Sequence, residues 1–310
     1  MNSTELKRQL PDEELISFGY MPTRSHEQSH IYNPDEPITK EMISEYYHKV
    51  AEFILPYIIN RPQYVKRNLT FDEAFFLKEG THDIPIMLDK LKGSHQMEKG
   101  MTTLLCNNRE SFAYLINRGL SEINLWHSNI NSLDYPDYMV IDLDPSDQNT
   151  FSQIKRVAKV LKSILDKAGA EGFCKTSGGT GLHVFIPLAV HYPFPIIRDF
   201  AYTLCMLTNK RIPEITCMDK RKANKEHKIF LDYMQNMRGK SIVSVYSVRE
   251  FPGAPVSTPI SWEELKDDLN PFDFNIFTVP ERLKKSGDLF TGLMSDGINI
   301  LSCMKSLGSV

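Results

Sequence analysis

The clearest alternation of apolar and polar residues lies at residues 138–145, which read YMVIDLDP. Strand-forming apolar residues surround two carboxylates, Asp142 and Asp144, and Pro145 ends the run because proline cannot donate a hydrogen bond to a sheet. Side chains alternate across a strand, so both carboxylates share one face and the apolar side chains between them point to the other. The pattern predicts a strand whose apolar face lies opposite an acidic pair.

A helical spacing of apolar residues follows this strand. From Phe151 to Ala168 they recur every three or four positions, and Thr150 is placed to cap the helix. Helical and strand-like patterns continue to alternate, which predicts a mixed α/β fold. The further elements predicted are strands at Phe173–Thr176 and Val184–Leu188, a helix at Ile196–Leu207, a strand near Ile229, and an alternating strand from Ile242 to Arg249 with Tyr246 opposite Arg249.

The two ends of the chain lack such periodicity. Residues 1–25 and the segment beyond about Ser286 show no regular apolar spacing, so they are expected to be flexible or to contact another molecule. No linker rich in proline, serine or glycine interrupts the middle, which favours one domain. We expect an N-terminal arm at 1–25, a single domain at 26–300 and a C-terminal tail at 301–310.

The composition is that of an ordinary globular protein, with 41% hydrophobic and 24% charged residues. No apolar run is long enough to span a membrane, and the first twenty residues do not resemble a signal peptide. The five cysteines form no CxxC motif, so we expect reduced, mostly buried thiols and no zinc ribbon. These features predict a cytoplasmic protein.

Asp142 and Asp144 are candidate metal ligands. Burying two carboxylates together is costly unless cations compensate for their charge, and hard oxygen ligands suit Mg²⁺ or Mn²⁺. Two such ions can support phosphoryl transfer. An isolated DxD pair also fits a turn or a solvated pair. Asp232, which ends another short apolar strand, could complete a carboxylate triad.

A glycine-rich segment, TSGGTGLH, lies at residues 176–183. Glycines such as Gly178 and Gly179 let backbone N–H groups converge on an anion, and Ser177 and His183 can donate to phosphate oxygens. The segment is a candidate triphosphate cradle, although not a Walker loop, because a strand rather than a helix follows it. A β-hairpin with a glycine-rich turn is the alternative.

Positive charge is concentrated before Asp232, although the net charge of the whole chain is −3. Such a run usually forms a solvated surface, but its position before a carboxylate of the triad favours a phosphate-binding track. Arg249 could clamp phosphates as well, or form a surface ion pair with Glu250. The run consists of Lys210, Arg211, Lys220, Arg221, Lys222, Lys225 and Lys228.

The order of these motifs resembles the polymerase domain of bacterial ligase D, a branch of the archaeo-eukaryotic primase superfamily. The resemblance extends from about Thr39 to Leu265, which is most of the chain. Five ordered motifs are more specific than any one of them. They are Asp142 and Asp144; Thr176–His183; Asp232, Gln235 and Asn236; Tyr246, Ser247 and Arg249; and Pro259, Trp262, Glu264 and Leu265, after an N-terminal portion with Thr39, Lys40, Tyr46, Tyr47, Arg61, Pro62, Arg67, Phe75, Phe76 and Lys78.

The resemblance implies an archaeo-eukaryotic primase-like fold, with a central mixed sheet that carries the triad, flanking helices and a second sheet-containing subdomain. It implies a nucleotidyltransferase that fills short gaps and extends 3′ ends in non-homologous end joining, with a preference for ribonucleotides. The implied partners are DNA with gaps, 3′ overhangs and 5′-phosphate ends, a DNA ligase domain, fused or separate, and a Ku-like end-binding protein. The implied location is the nucleoid.

Residue by residue, the resemblance implies three sets of contacts. Two Mn²⁺ or Mg²⁺ ions would bind Asp142, Asp144 and Asp232, with Asp232 nearest the primer 3′-hydroxyl. The incoming nucleoside triphosphate would contact Ser177, Gly178, Gly179, Thr180, His183, Lys225, Lys228, Gln235 and Arg249. The DNA would contact His30, Lys40, Arg67, Phe75, Phe76, Lys78 and Arg221, where the two phenylalanines either stack on a base or pack in the core.

Three positions depart from the family pattern. Thr180 stands where many relatives carry a lysine, and Lys175 is the candidate to replace that charge. His30 stands where relatives hold a downstream 5′-phosphate with a lysine, which would make the contact pH dependent. Asn124 stands where relatives often carry a histidine, with Glu122 two residues before it.

Three other functions remain open. A de novo primase is disfavoured because primases often carry a zinc or iron–sulfur module, and this chain has no paired cysteines. A non-catalytic module that bridges DNA ends is disfavoured because all three aspartates are present. A metal-dependent phosphoesterase would not need the glycine-rich cradle.

Overall fold

The structure, a computed structural model, describes residues 38–67, 103–117, 119–188, 192–266 and 268–308, without the side chains of 65–67, 103–104 and 224–225. The α-helices of this part are α1 (Lys40–Ile58), α2 (Arg109–Asn117), α3 (Phe151–Ala168), α4 (Phe194–Arg211), α5 (Lys220–Glu226), α6 (Thr278–Ser286) and α7 (Ile300–Leu307). The strands are β1 (Gln63–Arg67), β2 (Thr103–Leu104), β3 (Leu120–Trp126), β4 (Tyr138–Asp144), β5 (Phe173–Thr176), β6 (Leu182–Pro187), β7 (Thr216–Cys217), β8 (Ile229–Asp232), β9 (Ser241–Val243) and β10 (Pro259–Ile260). Short 3₁₀ helices lie at Ile130–Ser132, Glu264–Lys266, Pro271–Asp273 and Thr291–Met294.

The strands form two sheets. The smaller sheet has the order β2-β1-β3-β9, and the larger has the order β10-β5-β6-β4-β8-β7. Pairing in the larger sheet is antiparallel except between β7 and β8, which are parallel. The expected mixed sheet and second sheet-containing part are therefore both present.

Strand β4 separates two hydrophobic cores. Met139, Ile141 and Leu143 pack in one core with residues of α3 and α4. Tyr138 and Val140 point the other way, into a core that they share with the smaller sheet and α1. Because side chains alternate along a strand, Asp142 and Asp144 extend this second face toward its open end.

Helix α3 fixes the position of β4 from the apolar side. It begins with a capping box, in which the Thr150 side chain accepts from Gln153 N and the Gln153 side chain accepts from Thr150 N. It ends at Gly169, which has a left-handed φ of 68°. The bounds predicted for this helix and for the acidic strand are confirmed, because both depend on signals that lie within the segment itself.

The expected strand from Ile242 to Arg249 is wrong. Strand β9 ends at Val243, and the chain then turns, with Tyr246 at a φ of 62°. The Tyr246 hydroxyl donates to Asp288 Oδ1 at 2.6 Å, and the Tyr57 hydroxyl donates to Oδ2 of the same carboxylate at 2.6 Å. These contacts with distant residues hold a backbone conformation that tyrosine rarely adopts, so local alternation could not predict the turn.

The segment beyond Ser286 is folded, contrary to the expectation of a flexible end. Phe290 is buried, and α7 occupies most of the expected tail. Asn299 caps this helix by accepting from Ser302 N, and Ile300 and Cys303 pack into the core beside α3 and α4. An eight-residue helix with two buried side chains is too short to produce a clear apolar period.

All five cysteines are buried and unpaired, as expected. In the residues that the structure describes, no helix is long and apolar enough to cross a membrane.

Candidate active site

The three aspartates meet at the open end of the central strand. The register pairs Asp142 with Asp232 across β4 and β8, while Asp144 lies two residues further along β4. Burial, followed by the negative charges of Asp144 and Asp232, raises the pKa of Asp142 to about 7. Burial also raises the pKa of Asp232. Strand pairing therefore brings Asp142 and Asp232 together in a poorly solvated part of the sheet, and this environment raises the pKa of both groups.

The donor set suits a hard divalent cation, because it consists of clustered carboxylate oxygens, and burial raises the pKa of Asp142 and Asp232 despite the lysine charges nearby. The side chains do not yet converge on one point: among the described residues, no three His, Cys, Asp or Glu side chains form a complete ligand group. Asp232 Oδ1 accepts from Met234 N at 2.8 Å, and Asp144 Oδ2 lies 3.4 Å from Lys220 Nζ. The residues thus fit the cation by the chemistry of their oxygens and by strand register, and not by a preformed set of ligands.

His183 lies on the other side of Asp142. The register pairs the two residues across β4 and β6, and His183 Nε2 lies 3.4 Å from Asp142 Oδ1. Behind the imidazole, Lys175 Nζ lies 3.0 Å from His183 Nδ1. Lys175 is fully buried and also contacts Ser257 Oγ, so it cannot supply the surface charge that Thr180 lacks.

The glycine-rich segment forms a tight loop between β5 and β6. Ser177 Oγ accepts hydrogen bonds from Gly179 N at 3.2 Å and from Gly181 N at 3.1 Å. The Gly179 amide is thus already bound within the loop rather than available to an anion. A Cβ at Gly181 would lie 2.8 Å from Leu143 O, so glycine is required where the loop passes the acidic strand.

Arg249 reaches this loop from the turn after β9. It does not pair with Glu250, which accepts from Ser121 Oγ at 2.6 Å. Its Nε instead donates to Glu122 Oε2 at 3.0 Å, and its Nη1 donates to Ser177 O at 2.9 Å. The buried Glu122 carboxylate therefore holds the guanidinium beside the glycine-rich loop.

Asn124 supports this ion pair. Glu122 and Asn124 share one face of β3, and Asn124 Nδ2 donates to Glu122 Oε1 at 3.0 Å. The spacing of the two residues is the signal in the sequence that could have predicted the contact, since residues two apart on a strand point the same way. The partner, Arg249, could not be predicted from that spacing.

Asn236 continues the sheet beyond the end of β8. Its Oδ1 accepts from Val140 N at 2.9 Å, and its Nδ2 donates to Val140 O at 2.6 Å. The side-chain amide therefore replaces a strand partner for β4 two residues before Asp142. This motif residue acts on the geometry of the acidic strand rather than on a ligand.

The basic run lies mostly on α5 and beside it. Lys220 reaches Asp144, whereas Lys222 and Lys228 pair with Glu226 at 3.7 and 2.9 Å. Arg221 is exposed on the same helix. Lys220 thus brings one cation directly to the acidic cluster, and Arg221, Lys222 and Lys228 lie on or beside the same helix.

The remaining predicted contacts are only partly described. Gln235 lies three residues after Asp232, and its Oε1 is buried with no hydrogen-bond partner among the described residues. Thr180 is exposed in the glycine-rich loop, and Lys40 is the first residue of α1. Predictions that lie outside the described part concern His30, Phe75, Phe76, Lys78 and the side chains of Arg67 and Lys225.

Known proteins show similarity over most of the chain. The multifunctional non-homologous end joining protein LigD of Pseudomonas aeruginosa is 30% identical over 271 residues, which cover 85% of this chain and 32% of that protein. The bifunctional LigD of Bacillus subtilis is 30% identical over 253 residues, which cover 80% of this chain and 40% of that protein. The chain therefore spans well under half the length of these relatives.

The fold is similar to that of the polymerase domain of Mycobacterium tuberculosis ligase D, solved in complex with DNA. The TM-score is 0.69 at 23% identity, and the match covers 84% of this chain and 93% of that chain. The expected primase-like fold is confirmed. The family model described as LigD, primase-polymerase domain, matches residues 39–290. The chain therefore belongs to the LigD primase-polymerase domain family.

Proposed function

We propose that this chain is a DNA-directed nucleotidyltransferase that fills short gaps and extends 3′ ends during non-homologous end joining. The observation that carries the proposal is the pairing of Asp142 with Asp232 across the sheet, with Asp144 beside them and the glycine-rich loop adjacent. Membership of the family and the end-joining names of its relatives support the same function.

The chain's own groups divide into two sets around the reaction centre. Asp142, Asp144 and Asp232 would hold two Mn²⁺ or Mg²⁺ ions, and Asp232 would face the primer terminus. Bound divalent ions would activate the attacking 3′-hydroxyl and neutralise the leaving pyrophosphate. Arg249 and the Ser177 hydroxyl lie on the loop side, where they would orient the triphosphate of the incoming nucleotide.

Discrimination between ribose and deoxyribose requires a contact with the 2′-hydroxyl. Gln235, three residues after Asp232, has a buried Oε1 with no hydrogen-bond partner among the described residues, and a turn of this side chain toward the site would let the oxygen accept from a sugar hydroxyl. A preference for ribonucleotides is therefore proposed to depend on Gln235. Gln235→Leu should reduce the ratio of ribonucleotide to deoxyribonucleotide addition, whereas loss of both activities in parallel would contradict this role.

The partners of the reaction are proposed from the relatives. These LigD relatives carry non-homologous end joining in their names and are two to three times as long as this chain. We infer that the chain acts on DNA with gaps, 3′ overhangs and 5′-phosphate ends, together with a DNA ligase domain and a Ku-like protein. Addition of a ligase and a Ku-like protein to the extension assay should increase joining of ends that need one or two added nucleotides.

The test of the catalytic function is primer extension on a gapped DNA with a 5′-phosphate, using Mn²⁺ and either ribo- or deoxyribonucleotides. Wild type should add templated nucleotides, and Asp142→Asn should not. Asp147→Asn, in the exposed loop after β4, is the matched control and should retain addition. Synthesis without a primer would favour a primase, and end pairing without addition would favour a non-catalytic bridging module.

A further inference from the structure

Phe251 lies beside the glycine-rich loop with 47% of its surface exposed. A single exposed apolar side chain is ordinary, but this ring has two specific neighbours. Its centre lies 5.6 Å from Arg249 Cζ. A Cβ added to Gly179 would lie 3.3 Å from Phe251 Cε2, so the ring packs closely against the loop. The ring therefore lies where the loop and the Arg249 guanidinium meet.

The backbone on both sides is shaped to admit the ring. Arg249 N donates to Pro255 O at 2.8 Å, and Phe251 N donates to Arg249 O at 2.9 Å. Ala254 N donates to Phe251 O at 3.0 Å, which closes the turn that bears both side chains. On the loop, Gly179 does not have a positive φ, so its backbone conformation does not require glycine. The lack of a side chain at this position instead leaves room for the ring.

The ring restrains Arg249 in a way that a carboxylate cannot. The guanidinium donates from Nε to Glu122 Oε2 at 3.0 Å and from Nη1 to Ser177 O at 2.9 Å. Arginine has five N–H donors, so three are not used by these two bonds. A cation over an aromatic ring is attracted to the negative charge of the ring face, and this contact uses no N–H donor and neutralises no charge. It therefore adds a restraint without reducing what the guanidinium can offer to an anion.

We propose that Phe251 is a positioning residue for Arg249, and that its ring holds the guanidinium at the glycine-rich loop with the remaining N–H donors available to a phosphate. The contact is a property of the chain itself, and its effect on nucleotide binding rests on the proposed function. A phosphate chain without a base should therefore bind less well when the ring is removed. If the ring instead stacked on the base, only a ligand that contains a base would respond.

The first test is titration calorimetry of the full chain with inorganic tripolyphosphate and with ATP, in the presence of Mg²⁺. Phe251→Leu keeps an apolar side chain but removes the π face, and should weaken binding of both ligands by the same factor of about 2 to 5, the scale of an exposed cation–π contact. Phe251→Tyr retains the π face and should bind both ligands as wild type does. The matched control is Phe272→Leu, which removes a ring that is similarly exposed, at 43%, in a 3₁₀ helix outside the site.

Two results of this titration would overturn the proposal. Weaker binding of ATP alone in Phe251→Leu would show that the ring stacks on the base. Unchanged affinity for both ligands would show that the ring does not restrain Arg249. In primer extension, Phe251→Leu should raise KM for the nucleotide by the factor measured with tripolyphosphate and leave kcat unchanged, whereas a loss of kcat alone would contradict a positioning role.

The second test needs no ligand and therefore separates this proposal from the proposed function. Fluorine atoms on the ring withdraw electrons from its face with little change in size, so they weaken its attraction to a cation. As fluorines are added to Phe251, urea denaturation should show an equilibrium constant for unfolding that rises stepwise to about 2- to 5-fold. The same analogues at Phe272 should leave this constant unchanged.

Equal effects of fluorine at the two positions would overturn the proposal. If wild type binds neither tripolyphosphate nor ATP, the proposed triphosphate site is refuted. The denaturation series then still decides whether Phe251 restrains Arg249.

Discussion

Asp142 and Asp232 lie directly opposite each other on neighbouring antiparallel strands. Like charges in such cross-strand positions destabilise a sheet, and burial raises the pKa of both carboxyls. The strand pairing that brings the acidic residues together therefore lowers the stability of the protein when no cation is bound.

Replacing one of these carboxylates should raise the stability of the protein and lower its activity. Asp142→Asn should raise the free energy of unfolding of the metal-free protein by about 1 kcal/mol at pH 8, because it removes a like-charge contact. It should lower nucleotide addition by about 10³-fold, since loss of a metal ligand removes several kcal/mol of transition-state stabilisation. Urea denaturation and primer extension measure the two effects. A variant that is both less stable and fully active would contradict the placement of the triad.

Substitutions of Arg249 and Glu122 should have strongly non-additive effects on the free energy of unfolding. Arg249→Met removes the guanidinium that the buried Glu122 carboxylate binds and should cost about 3 kcal/mol of stability. The double variant Glu122→Gln with Arg249→Met should recover most of that stability, because the carboxylate charge that Arg249 balances is removed as well. Both variants should still bind the nucleotide poorly, since they lack the guanidinium. Recovery of nucleotide affinity in the double variant would show that Arg249 acts only on the fold.

Replacing Asn236 should destabilise the protein more than replacing an ordinary polar residue. Asn236→Leu removes both hydrogen bonds to the Val140 backbone and should cost about 2 to 4 kcal/mol, because it leaves a buried donor and a buried acceptor unpaired. Asn129→Ala, which removes one exposed cap of a 3₁₀ helix, is the comparison and should cost about 1 kcal/mol. Equal costs in chemical denaturation would indicate that Asn236 does not support β4.

Lys220 should compete with cations for the acidic cluster. Its ammonium lies 3.4 Å from Asp144 Oδ2, so Lys220→Met should tighten Mn²⁺ binding by a factor of about 2 to 5, on the scale of an exposed ion pair. Titration calorimetry with Mn²⁺ alone measures this change. Lys222→Met, which removes a cation that pairs with Glu226, should leave the affinity unchanged. Weaker Mn²⁺ binding in Lys220→Met would contradict competition.

His127 should make the fold sensitive to acid. Its ring is buried, neither nitrogen has a hydrogen-bond partner among the described residues, and burial together with Arg61 lowers its pKa to about 3. The unfolded state therefore binds the proton first, and stability falls as the pH drops below about 6.5.

Between pH 7.5 and pH 5 this one group should cost about 2 kcal/mol. His127→Phe, which keeps an aromatic ring beside Tyr138, should remove that part of the pH dependence. Urea denaturation of both proteins at the two pH values measures the difference. Parallel losses of stability in wild type and variant would show that His127 takes no part.

Much of the local structure follows from the sequence itself. The acidic strand and helix α3 have the predicted bounds, because alternation, helical spacing and the Thr150–Gln153 capping box all act between near neighbours in the chain. The sequence also singles out the three aspartates as candidate site residues, since each one ends or interrupts a short apolar run. Helix α7 shows the limit of such signals, because its short length hides its periodicity.

The arrangement of the site was decided only by tertiary structure. No local pattern reveals that Asp232 lies opposite Asp142, that Arg249 pairs with Glu122, or that Lys175 lies behind His183. Each contact joins segments whose register and packing depend on the whole sheet and on both cores. The sequence by itself therefore determined which residues are candidates for the chemistry, whereas long-range strand pairing and burial decided how they face one another and which charges are compensated.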